Sequence, residues 1–135
     1  MAHTENQVLD AKVRSDAAAL ASARRGLDTE IGGLQALSET LDKTFAQAVR
    51  LIEAVTGRVV VTGMGKSGHV ACKIAATFAS TGTPAQHVHP SEASHGDLGM
   101  ITRADVVVML SNSGENRELS DLIAHTRLVG IPLIG

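Results

Sequence analysis

The chain has 135 residues, 44% hydrophobic and 19% charged. That suits one globular domain with a single core and excludes a disordered chain. Twelve Lys and Arg against fourteen Asp and Glu leave a formal net charge of −2, and Phe45 and Phe78 are the only residues among Phe, Tyr and Trp. There is thus no overall basic field to hold nucleic acid and no base-stacking surface.

The first 57 residues read as helix, with Ala17, Ala18, Ala19, Ala21 and Ala23 as strong helix formers. Gly32-Gly33 is the expected bend or break. Beyond it, Leu34, Leu37, Leu41, Phe45, Ala48 and Ile52 recur at spacings of three and four, which predicts one inward-packing face. Ser38 is a candidate N-cap for a second helix, which Gly57 ends. Residues 58–62 are a β-branched strand, followed by the loop Gly63-Met-Gly-Lys-Ser-Gly68 and a helix over 69–80 through Val70, Ile74 and Phe78. After the turn Thr81–Pro84 come a short strand over 85–89 and a polar stretch over 90–104 with one helical turn. Val106–Leu110 is wholly apolar and therefore a central strand. Ser111-Asn-Ser-Gly114 is a loop, Glu115–Val129 a helix and Ile131–Ile134 a fourth strand. Strands alternating with helices predict right-handed crossovers and a parallel sheet.

A fourth strand ending one residue before Gly135 lacks the covering helix that a parallel strand needs. The expectation is an N-terminal piece of a longer protein, with its sheet incomplete at the C-terminus. The single cysteine, Cys72, can close no internal disulfide and reads as a small core residue. A reduced, cytoplasmic setting follows. The N-terminus has no apolar signal-peptide core, and no apolar run approaches a membrane span.

In open parallel sheets, ligands bind at the loops leaving the carboxyl ends of strands. Two such loops have anion-cradle composition. Around Gly63–Gly68, glycines allow close backbone approach, the following helix N-terminus offers free N–H groups, Ser67 a hydroxyl and Lys66 a charge. The loop also matches G-x-G-x-x-G, but the second strand ends Gln86-His87-Val88-His89 without the acid that a dinucleotide ribose wants. A Walker A loop would need glycine where Val60 stands. In the second loop, Ser111 and Ser113 precede Gly114 and a helix N-terminus, suiting a phosphoryl group; an ordinary N-cap serine is the plainer alternative. Hydrogen bonds to a charged group contribute roughly 1.5–3 kcal/mol each, enough to outweigh a net charge of −2. His87, His89 and His95 form an H-x-H-x5-H array that could hold zinc or nickel, or place one histidine on a substrate. Glu118, in the first turn of its helix, faces either the same pocket or simply a favourable dipole end.

The stretches GRVVVTGMGKSGHVACKIAATFASTGTP, VHPSEASHGDLGMI and SNSGENRE together resemble the sugar isomerase (SIS) domain of the arabinose-5-phosphate isomerase family, over residues 40 to 135. The resemblance implies an α/β fold, a flavodoxin-like three-layer αβα SIS architecture over 58–135, preceded by an N-terminal helical segment over 1–57 that packs on it. It implies a cytoplasmic enzyme interconverting D-arabinose 5-phosphate and D-ribulose 5-phosphate through a cis-enediolate, the first step toward Kdo in lipopolysaccharide or capsule synthesis. By the same resemblance Lys66 and Glu118 are catalytic. His95, Gly82 and Thr83 contact substrate, and Ser67, Ser111 and Ser113 hold its phosphate. His89 is a metal position at which zinc or another divalent ion is inhibitory or non-essential, and no cofactor is required. Asn116 stands where the wider SIS pattern has Thr, which removes one phosphate contact. Family candidates for the C2 base lie beyond Gly135. The partners implied are a small sugar phosphate and, in the full-length protein, a homotetramer, with neither nucleic acid nor membrane. The alternatives are a non-catalytic sugar-phosphate sensor, which would want a basic helix-turn-helix where only Arg24-Arg25 occur, and an isomerase of another sugar phosphate.

Overall fold

A computed structural model describes the backbone of residues 2–135 and the side chains from Ser15 onward. The chain divides into two compact units, residues 1–43 and 44–135. The second begins ahead of the 57/58 boundary read from the sequence.

In the first unit, helix α1 (Ala2–Thr40) runs through Gly32-Gly33 without a break. Two glycines cost a helix about 2 kcal/mol relative to alanine, and the surrounding helix formers outweigh this. Ser38 therefore lies inside α1, and the interruption falls at Leu41-Asp42 instead, before α2 (Lys43–Glu53). The expected continuous inward face does not form. Leu34, Leu37, Leu41 and Phe45 are each more than half exposed. Only its far end is applied to a core, where Ile52 packs together with Val55.

In the second unit, strands β1 (Val59–Gly63), β2 (Ala85–His87), β3 (Val106–Leu110) and β4 (Leu133–Ile134) form one parallel sheet in the order β2-β1-β3-β4. Side chains alternate across it. Val60, Val107 and Met109 face one core with Ala93, Leu119 and Leu122; Val59, Val61 and Val106 face the other with Ala71 and Ala75. The first core is covered by α4 (Pro90–Ser94) and α5 (Ser120–Val129), the second by α3 (Lys66–Ser80) and the end of α2. This is the three-layer αβα arrangement. Each fully buried valine contributes roughly 1.5–3 kcal/mol, so the sheet centre dominates the stability of this unit.

Three elements are shorter than the sequence suggests. β2 ends at His87, β4 has only two residues, and the helix expected from Glu115 starts at Ser120 after a 3₁₀ turn over Arg117–Leu119. Among the described residues, no helix is long and apolar enough to cross a membrane.

Candidate functional site

The strand order reverses between β1 and β3, and in such sheets the crevice at the carboxyl ends of those two strands is the usual ligand position. Gly63 at the end of β1 lies in register with Leu110 at the end of β3. The two candidate loops thus start side by side.

The first loop is fixed by backbone approach. A Cβ on Gly68 would sit 2.7 Å from the Gly63 carbonyl oxygen, and one on Gly63 would meet Leu110 O at 3.0 Å and Ser67 Cβ at 3.1 Å. Only glycine lets α3 start so close to the strand. Gly65 turns the chain at φ +55°, a left-handed conformation that favours glycine. The Gly68 and His69 amides donate to Met64 and Gly65 carbonyls at 3.3 Å each. The amides of Lys66 and Ser67 have no backbone acceptor and stand at the positive end of α3. Lys66 is exposed and Ser67 half-buried.

The second loop is held by its own hydroxyls. Ser111 Oγ accepts the Gly114 amide at 3.0 Å, and Ser113 Oγ accepts the Glu115 amide at 3.3 Å. These bonds fold 111–115 into a turn, so no helix N-terminus abuts Ser113, contrary to the sequence reading. Both hydroxyl protons stay free to be donated. Glu118 is the exposed middle residue of the 3₁₀ turn rather than part of α5, and its neighbour Leu119 anchors that turn in the core.

Beside the first loop, Gly65, Gly68, His69, Cys72, His87 and His89 line a cleft of about 290 Å³. Cys72 is exposed there, not a core residue. The buried stripe of α3 is Gly68, Ala71 and Ala75, and Cys72 lies one position off it. Its spacing of three from His69 was the signal for a shared helix face. His89 caps α4, its Nδ1 accepting the Ser91 amide at 3.3 Å, which leaves the proton of a neutral ring on Nε2. Burial, and then the nearby His89, push the His87 pKa down from its ordinary value. His87 Nε2 and Gln86 Nε2 are buried without hydrogen-bond partners. His95 is exposed at the other end of α4. The H-x-H-x5-H array does not assemble: among the described residues no three His, Cys, Asp or Glu side chains are placed to hold a metal ion.

Gly82-Thr83 precede β2, whose first residue pairs with the first residue of β1. The structure therefore puts this turn at the opposite end of the sheet from both loops.

Residues 53–135 match the SIS domain family. The chain is 56% identical over 113 residues to arabinose 5-phosphate isomerase KdsD of Yersinia pestis, covering 84% of this chain and 34% of the relative. It is 53% identical over 113 residues to the Pseudomonas aeruginosa protein of the same name, covering 84% of this chain and 35% of that one. It spans about a third of the length of these curated relatives. Among solved structures it is similar to c3406 of E. coli CFT073 in complex with arabinose 5-phosphate, with a TM-score of 0.67 and 46% identity over 74% of this chain and 55% of that one. It is also similar to a candidate sugar-phosphate isomerase from Listeria monocytogenes, with a TM-score of 0.68 and 35% identity over 70% and 50%.

Proposed function

The chain belongs to the SIS domain family, and from that premise we propose that its protein is a cytoplasmic aldose–ketose isomerase interconverting D-arabinose 5-phosphate and D-ribulose 5-phosphate. One observation carries the reading: two loops rich in small and hydroxyl residues leave adjacent strand ends in register, at Gly63 and Leu110. Similarity to the KdsD enzymes supports arabinose 5-phosphate as the sugar.

In this reading the free amides at the start of α3 and the hydroxyls of Ser67, Ser111 and Ser113 hold the phosphate. The opened sugar then lies beside Lys66. A base takes the C2 proton, the electron pair forms the cis-enediolate, and C1 receives a proton. The Lys66 ammonium stabilises the enediolate oxygens. Glu118 moves a proton between O1 and O2 or assists ring opening, and His95 contacts the sugar. In a homotetramer, Gly82-Thr83 would serve a neighbouring subunit's substrate, since they stand at the far end of their own sheet. His89 offers one ligand to a divalent ion, which would need further donors from elsewhere.

The test is a coupled assay of the full-length protein with arabinose 5-phosphate, ribose 5-phosphate and glucose 6-phosphate side by side. Preference for the first is expected; equal or better use of glucose 6-phosphate would sink the assignment. In that protein Lys66→Ala should lower kcat by about 10²-fold, the scale of one lost transition-state contact. The 135-residue chain alone should bind weakly and turn over little.

A further inference from the structure

We infer that Thr62 is a positioning residue that couples the phosphate loop to the sugar-contacting segment after β2; this rests on the reading above. Thr62 is wholly buried in β1, a strand otherwise made of Val and Gly. Valine would fill the same volume, so the hydroxyl is what needs explaining. It donates to the Val88 carbonyl at 2.8 Å.

Backbone pairing shows why that carbonyl needs a partner. β1 and β2 pair from Val59↔Ala85 to Val61↔His87, and the Val88 amide then donates to Val61 O at 3.1 Å. At His89 the chain turns off into α4, and the strand offers Val88 O no further amide. Val88 is itself 2% exposed and belongs to the core under α4 and α5, so water cannot easily replace the bond. The Thr62 side chain therefore extends the ladder by one residue. On its own strand the next residue is Gly63, where the phosphate loop starts. On the facing strand the next residue is His89, which caps the helix leading to His95.

Loss of the hydroxyl leaves Val88 O buried and unpaired, or lets the 88–91 turn move. The phosphate loops are secured separately, by the Gly63–Gly68 approach and by the Ser111 and Ser113 hydroxyls. The effect should fall on the sugar and spare the phosphate.

The experiment titrates the full-length protein and its Thr62→Val and Thr62→Ser variants with inorganic phosphate and with arabinose 5-phosphate by calorimetry, with amide hydrogen exchange followed alongside. Thr62→Val should bind phosphate within about twofold of wild type but arabinose 5-phosphate about tenfold more weakly, the loss of one buried hydrogen bond. Thr62→Ser should restore the affinity. Exchange at the Val88 and Ser91 amides should quicken in Thr62→Val alone. If Thr62→Val does not fold, Thr62→Ala is compared with Thr62→Ser by the same titrations. Equal weakening of both ligands, or of neither, overturns the role of Thr62 while leaving the sugar-phosphate reading intact. Wild-type full-length protein that binds neither ligand overturns both.

Discussion

Asp105 opens β3 from its amino end, 3% exposed and far from the candidate site. Burial alone would raise its carboxyl pKa. The Thr102 and Arg58 amides, both donating at 2.7 Å, the Thr102 hydroxyl at 3.0 Å and the Arg58 guanidinium outweigh burial and hold it below the usual carboxylate range. A carboxyl with a depressed folded pKa adds stability above its unfolded value, about 3.9, and loses it as pH falls through the folded one. Asp105→Asn should cost about 2 kcal/mol at neutral pH, measured by urea unfolding. The gap from wild type should close as the medium is taken below the unfolded carboxyl value. None of this was legible in the sequence, where Asp105 is one acid among fourteen; its partners come together only when the strands do. That Lys66, Ser67, Ser111 and Ser113 stand just past the carboxyl ends of β1 and β3 was legible, because apolar runs broken by glycine and serine mark strand ends locally. Cys72 was not, because its exposure depends on which face α3 turns to the sheet.

The β1–loop–α3 unit shows where local pattern suffices. Its glycines demand a close approach, and the structure supplies one at Gly63 and Gly68. Gly68→Ala should push α3 off the strand end, costing about 1–3 kcal/mol by overpacking and weakening phosphate binding at the same time. Full phosphate affinity in a destabilised Gly68→Ala chain would separate the two effects and count against the loop. The α1–α2 region shows where pattern misleads. The spacing of Leu34, Leu37, Leu41 and Phe45 is helical, yet helical spacing does not say that a face is covered, and all four are more than half exposed. Likewise the helix expected from Glu115 starts later, because Ser111 and Ser113 bond their own turn.

At the scale of the molecule, alternating strands and helices were enough to predict the parallel sheet, and a wholly apolar β3 marked a central strand. Strand order needed the structure: β1 and β3 are each paired on both sides, β2 and β4 on one. Amide exchange should follow that order. Val59–Val61 and Val106–Val108 should exchange slowest, and Leu133-Ile134 should open at lower free energy; equal protection of all four strands would contradict it. The two loops proposed to hold phosphate are also unequal in how freely they can be altered. Around Gly63 and Gly68 main chain rests against main chain, so neither an inserted residue nor a larger one has room. The serine turn answers only to its own hydroxyls, and attempts to redirect this scaffold to a different phosphorylated compound should begin by lengthening or rewriting residues 111–116.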